Sequence, residues 1–190
     1  MTRTAHIDLK ESALLVVDMQ RYFLKPSAAA FLDPPPELIT NVLALVGHFR
    51  KINRPVIFTR HANRRDRPRG QINRWWGDGL PFEGDPESEL DDRIKRRSDE
   101  TLITKETYSA FEGTALDSVL KKLSVRNLII CGVMTNVCVD TSARHAFLLG
   151  YQPVVVEDAC AGKDRLLHEA SLSCLAYAFA YTPKTHELLI

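Results

Sequence analysis

The feature that most constrains this chain is a set of short apolar runs that do not alternate with polar residues. They are "ALLVVDM" (13–19), "PVIFTRH" (55–61), "LIT" (102–104), "NLIICGV" (127–133) and "PVVVEDA" (153–159). Each is strand length and most are rich in β-branched residues. A strand with one wet face alternates, whereas a strand apolar throughout is covered on both faces, as parallel sheets require. Stretches of helical period separate the runs. Apolar residues at 38, 39, 42, 43, 45, 46 and 49 form one stripe behind a proline-rich start, and 113–125, 138–151 and 164–181 also read as helices. A last strand or turn is expected near "YTPKTHELLI". The order β-α-β, an interruption, then β-α-β-α-β-α predicts an α/β fold: three α-β-α layers around a mostly parallel, Rossmann-like central sheet. A length of 190 residues suits a single domain over 1–190 with a sizeable core.

The interruption spans residues 62–100, rich in glycine, proline and charge, and it carries both tryptophans, Trp75 and Trp76. It is longer than an ordinary connection and too short to bury much core of its own. It reads as a functional loop or insertion rather than a second domain. Twenty-five Lys and Arg face 24 Asp and Glu, a net charge of +1, and the basic tracts "RRDRPR" and "DDRIKRR" interleave acids. That balance points to solvated faces, not to nucleic acid or an acidic membrane. No run approaches the ~20 apolar residues of a membrane helix. The opening "MTRTAHIDLKESALLVVD" lacks a secretory pattern. Cys131, Cys138, Cys160 and Cys174 form no C-x-x-C pair and no zinc-ribbon spacing. Free thiols of this kind suit a reducing cytoplasm.

Open α/β sheets bind ligands outside the carboxyl ends of their strands. The residues there are Asp18, His61, Lys105, the Val133–Cys138 turn and Asp158. An acid, a lysine and a cysteine at three strand ends can perform acyl transfer without a cofactor. A thiol is a nucleophile as its thiolate, and a helix start lowers a cysteine pKa, in known cases to roughly 3.5–7.5. Cys138 is expected near such a start. A carboxylate can take the thiol proton and return it to a leaving amine, a lysine can hold that carboxylate, and backbone N–H groups can cradle an oxyanion. The bland reading makes Cys138 a small buried hydrophobe, Asp18 a turn residue and Lys105 a solvated charge. Spacing alone leaves the two readings balanced.

Three blocks carry a resemblance: "VVDMQ" (16–20), "KETYSAF" (105–111) and "GVMTNVCVDTSAR" (132–144). Together they resemble the isochorismatase-like cysteine hydrolases, which include nicotinamidases, N-carbamoylsarcosine amidohydrolases and ureidoacrylate amidohydrolases. The likeness runs from residue 13 to about 162, apart from 62–100. It implies a three-layer fold and a catalytic triad of Asp18, Lys105 and Cys138. It also implies a cis Val133–Met134 peptide, an oxyanion hole from the Met134 and Cys138 N–H groups, and assembly as a dimer or tetramer. The reaction implied is hydrolysis of a small amide, ureido or carbamoyl substrate through a thioester.

For substrate contact, Phe23 matches an aromatic that stacks on the ring in nicotinamidases. Arg60, His61, Arg74 and Tyr108 are candidates for a carboxylate or polar head, and Trp75 and Trp76 for a pocket wall, a lid or an interface. Nicotinamidases of the family carry an Asp-x-His…His metal site after the second strand. Here "FTRHANRRD" supplies His61 without those companions, so no metal and no cofactor are expected, and nicotinamide is disfavoured. The competing readings are a non-catalytic binding module on the same fold and an isochorismate-type hydrolase, whose members usually lack the cysteine. No G-x-G-x-x-G or P-loop follows the first strand.

Overall fold

The apolar runs become five parallel strands: β1 (Ser12–Val17), β2 (Val56–His61), β3 (Thr101–Lys105), β4 (Asn127–Val133) and β5 (Gln152–Ala161). The structure is a computed structural model and describes residues 7–68 and 70–189; the first six residues of the expected leader-free opening lie outside them. The sheet order is β3-β2-β1-β4-β5, and every pairing is parallel. In register, Leu15 stands between Ile57 and Ile130. Leu14, Leu15, Leu128, Ile129, Val154 and Val155 are all fully buried, as strands covered on both faces must be. Each such side chain contributes about 1.5–3 kcal/mol relative to exposure.

The helices are α1 (Arg21–Leu24), α2 (Glu37–Lys51), α3 (Gln71–Trp76), α4 (Leu116–Lys122), α5 (Asp140–Leu148), α6 (Arg165–Ala178) and α7 (Thr185–Leu188). Helix α2 packs on the sheet and on α7, while α5 and α6 pack on each other and on β5. From β1 the chain steps outward through β2 to β3, then returns to β4 on the other side of β1 and continues to β5. Right-handed crossovers in opposite directions put α2 and α5 on opposite faces. The reversal between β1 and β4 is the switch point where such sheets form a crevice.

Several expected boundaries shift. The helix expected over 113–125 shortens to α4. The helix expected from Cys138 starts at Asp140, because Thr135–Val139 forms a π-helical turn first. The expected last strand is reduced to one parallel bridge, Val154 with Tyr181, followed by α7. The 62–100 excursion is not without structure: it holds α3 and pairs Asn63 with Phe82.

Candidate active site

Two backbone features shape the crevice. Asp18, one residue past β1, has φ +48°, a left-handed conformation that Asp tolerates better than most residues. Gly132 has φ +114°, and a Cβ there would overlap the Val17 carbonyl oxygen. Only glycine lets β4 approach β1 so closely. Its pairing with β5 is also irregular between Ile130 and Gly132. The next peptide, Val133–Met134, is cis. The π-helical turn then carries Cys138.

These elements bring Asp18, Lys105 and Cys138 together. Lys105 Nζ lies 2.7 Å from Asp18 Oδ2, and both side chains are fully buried. The same ammonium donates to Cys138 Sγ at 3.3 Å and to the Thr107 carbonyl at 3.0 Å. Three acceptors match its three protons. Burial alone would lower the Lys105 pKa, but the Asp18 carboxylate and the sulfur opposite it leave it raised. The second Asp18 oxygen accepts from the Thr59 hydroxyl at 2.5 Å, and Thr59 Oγ1 in turn accepts from the Asp18 N–H at 3.1 Å.

The thiol departs from expectation. Cys138 is 5 % exposed, and its pKa is pushed up from 9.0 to about 12. Burial is the main cause; Lys105 pulls the value down and the neighbouring Asp18 carboxylate pushes it up again. The helix-start argument, which predicts a lowered value, is corrected here. The cysteine sits inside a buried turn ahead of α5, where removal from water outweighs a terminal dipole.

Cys138 opens on a cavity of about 400 Å³. His61, Phe23, Trp76, Tyr108 and Met134, all expected site residues, line it. The Trp76 indole donates to the Tyr108 hydroxyl at 2.6 Å, joining the excursion to the segment after β3. Phe23 meets Tyr22 edge to face at 4.9 Å. His61 is 3 % exposed, and its pKa is lowered from 6.5 to about 4, first by burial and then by the charge of Lys105. The Asp18 carboxylate opposes this, and the Thr107 backbone after it, yet neither ring nitrogen closes a hydrogen bond of acceptable geometry.

Three expected residues are not brought to the cavity. Arg60 lies between Thr59 and His61 on β2, so it projects from the other face of the strand. There it meets Glu89 at 2.6 Å, Glu83 at 3.2 Å and the Thr104 hydroxyl. Helix α3 presents Ile72 and Trp76 to the cavity, four residues apart, which leaves Arg74 exposed on another side. Trp75 is 74 % exposed against 53 % for Trp76 and does not line the cavity. Asp158, at the fifth strand, instead accepts from the Thr185 N–H and hydroxyl and braces α7.

Other contributors were not singled out from the sequence. Thr59 shares the His61 side of β2 by simple alternation, a signal that was legible. Gln20 binds the His61 backbone from both sides, donating to its carbonyl at 2.9 Å and accepting from its N–H at 2.8 Å, and it also donates to the Ser88 carbonyl. Asn136 comes with the Val133–Cys138 turn itself, whereas Lys163 and Leu167 reach the cavity only through the tertiary fold. A larger, open groove of about 1020 Å³ near Tyr177 and Phe179 lies away from all these groups. Among the described residues, no group of three His, Cys, Asp or Glu side chains is arranged to hold a metal. His61 belongs to no such group, and the charges that act on it are those of Lys105 and Asp18. No helix among the described residues is long and apolar enough to cross a membrane.

Comparison with known proteins agrees with this architecture. Residues 12–187 match the isochorismatase domain family. The chain is 36% identical to Nicotinamidase 3 of Arabidopsis thaliana over 182 residues, covering 95% of this chain and 88% of that protein. A crystal structure of a cysteine hydrolase from Pseudomonas syringae pv. phaseolicola superposes with a TM-score of 0.91 at 28% identity, covering 96% of this chain and 92% of the other. The N-carbamoylsarcosine amidase of Thermoplasma acidophilum follows at 0.79 and 25% identity, over 92% and 96% of the two chains. With its five-stranded parallel sheet, its helical layers and a family match across nearly its whole length, the chain belongs to the isochorismatase-like hydrolase family.

Proposed function

We propose that the chain is a cysteine-dependent amidohydrolase acting on small amide, ureido or carbamoyl compounds. The observation that carries the reading is the buried ammonium of Lys105, held between the Asp18 carboxylate and the Cys138 sulfur. A thiol with a pKa of about 12 is protonated at rest. In this reading Asp18 removes that proton as sulfur attacks, so no free thiolate need accumulate. The S–C bond forms, the carbonyl becomes an oxyanion, and the Met134 and Cys138 N–H groups hold it. The C–N bond then breaks, and Asp18 passes its proton to the departing ammonia or amine. Water attacks the thioester with Asp18 again as base, giving the acid and restoring the thiol. Lys105 orients Asp18 through both half-reactions and keeps its charge matched. Phe23, Trp76 and Tyr108 form the apolar wall for the substrate body, and His61 offers a neutral imidazole to a polar group on it. The reading includes one catalytic domain over 1–190, working in the cytoplasm as a dimer or tetramer.

The test is ammonia release from a panel of small amides, ureido acids and carbamoyl compounds. Nicotinamide belongs in the panel, because a relative carries that activity in its name. Cys138→Ala should abolish turnover, while Cys131→Ala, Cys160→Ala and Cys174→Ala should keep most of it. Full activity in Cys138→Ala would sink the mechanism. The second reading, C–O cleavage of the isochorismate type, is favoured by the family match itself. It predicts turnover of a vinyl ether substrate that survives Cys138→Ala.

A further inference from the structure

We infer that His168 and Ser171 on α6 are positioning residues for the oxyanion hole: they hold the π-helical turn that sets the Met134 and Cys138 N–H groups relative to each other. This deepens the amidohydrolase reading and rests on it.

The two proposed donors belong to one turn, Met134 just ahead of Thr135–Val139 and Cys138 near its end. A π-helical turn is rare, and it occurs frequently at functional sites. Its backbone bonds converge on few acceptors. The Val137 and Val139 N–H groups both bond the Met134 carbonyl at 3.1 Å, and the Asp140 N–H meets the Thr135 and Val137 carbonyls. A single turn of this kind has no further turn before it to stiffen it. The groups packed against it therefore decide its shape, and with it the spacing of the two donors.

The segment from the end of β5 into α6 supplies those groups. Thr135 is fully buried, and its hydroxyl meets His168 Nδ1 at 2.8 Å. One turn further along α6, the Ser171 hydroxyl donates to the Thr135 carbonyl at 3.2 Å. It shares its proton with Asp140 Oδ1 at 2.9 Å, and Arg144 holds that carboxylate at 2.7 and 3.1 Å. Asn136 Oδ1 accepts from the Lys163 N–H at 3.0 Å. Gly162 seats the helix closely, since a Cβ there would lie 3.0 Å from His168 Cβ and 3.2 Å from its Cα. The turn is thus fastened through the Thr135 side chain, the Thr135 carbonyl and the Asn136 side chain at once.

Neither His168 nor Ser171 lines the cavity, so both act through the turn rather than on the substrate. Leu167, the residue before His168, does line it. Helix α6 therefore gives the cavity a wall from one position and the turn a brace from the next. Losing one oxyanion donor costs about 10²–10³ in kcat, and a 1 Å misplacement about 10². Loss of the Thr135–His168 bond leaves the wall in place and loosens the donors. The cost falls on kcat, where the oxyanion forms, and spares KM.

The experiment uses the full chain and the best amide of the panel. His168→Ala and Thr135→Val should each lose about ten- to hundredfold in kcat with KM within about twofold. The double variant should lose no more than either alone, because both remove one bond. His168→Asn, whose amide reaches the place of Nδ1, should stay within about threefold of the wild type. Ser171→Ala should show the same pattern in smaller measure, because the Asp140 N–H still bonds the Thr135 carbonyl. Benzaldehyde and propanal read the hole without turnover. The Cys138 sulfur bonds to the carbonyl carbon, the thiol proton passes to Asp18, and the C=O electron pair moves onto oxygen as the oxyanion. Calorimetry should show their Kd rising by about ten- to hundredfold in His168→Ala and Thr135→Val. Modification of Cys138 by methyl methanethiolsulfonate forms no oxyanion, so its rate should stay within about twofold. Should His168→Ala not fold, Thr135→Val carries the comparison. If the aldehydes bind in a Thr135- and His168-dependent way but the wild type releases no ammonia, the positioning role stands and the amidohydrolase reading fails. If neither aldehyde binds, if binding and labelling change together, or if the variants only melt earlier with kcat and Kd intact, these are packing residues and the inference is overturned.

Discussion

The elevated thiol pKa can be tested directly, and it separates two accounts of how Cys138 is activated. With a pKa of about 12 in place of 9.0, the thiolate fraction at any pH below 9 falls by about three powers of ten. A more basic thiolate is also more nucleophilic. At a Brønsted slope of roughly 0.4–0.5, this returns about 15- to 30-fold. Modification of Cys138 by methyl methanethiolsulfonate at pH 7.5 should therefore run about 30- to 70-fold slower than that of a reference peptide thiol. Its rate should rise about tenfold per pH unit from 7 to 10 without levelling. Peptide mass spectrometry over a time course reads the site, with exposed Cys174 labelled first. The Asp18 carboxylate is one cause of the high value, so Asp18→Asn should speed the labelling of Cys138 while turnover collapses by orders of magnitude. A cysteine activated as a standing thiolate would show the reverse pattern. Labelling of Cys138 ahead of Cys174, or a plateau below pH 9, would refute the reasoning.

Three further outcomes are expected. Gly132→Ala forces a Cβ onto the Val17 carbonyl at a φ of +114°, so stability should fall by at least about 4 kcal/mol, or about 10 °C in Tm, measured by thermal unfolding; a drop of one or two degrees would show that β4 can retreat from β1. His61 has its pKa lowered to about 4 in the fold, so the unfolded chain takes up a proton first as pH falls. Stability is then complete above pH 6.5 and declines by about 3 kcal/mol as pH approaches 4, and urea melts of His61→Gln should lose that part of the slope. Trp76→Ala removes a cavity wall and the bond to Tyr108, so kcat/KM should drop about tenfold, whereas Trp75→Ala should leave kinetics intact. Equal kinetic loss in the two variants would undo this division, and a change in sedimentation for Trp75→Ala alone would assign that residue to a subunit contact.

Much of the fold was legible because the sheet is buried on both faces. Double burial removes alternation, so "ALLVVDM" and "PVVVEDA" announce themselves as central parallel strands, and the residues that end them mark the crevice. That Asp18, Lys105 and Cys138 meet was legible for the same reason, with a family resemblance to single out that lysine and that cysteine. What was not legible depends on contacts distant in sequence. Lys163 is tied to Asn136 across 27 residues, a contact that no local pattern around Lys163 announces. Arg60 is a different case, because alternation along β2 already placed it opposite Thr59 and His61 once either was assigned to the site.

The thiol pKa joins these two kinds of information. The expectation of a lowered value weighed the helix start and overlooked the oily run "LIICGV" that leads into the turn. Fully buried strands make the crevice readable in sequence, and the same burial strips water from Cys138 and makes its thiolate costly. A nucleophile built into such a sheet needs a proton acceptor at hand when it attacks. In the proposed mechanism Asp18 would meet that need from the neighbouring strand, with its carboxylate held by Thr59 on one oxygen and Lys105 on the other. The left-handed backbone at Asp18 and the glycine at 132 belong to the same arrangement, because they bring the ends of β1 and β4 close enough for acid and thiol to share one ammonium.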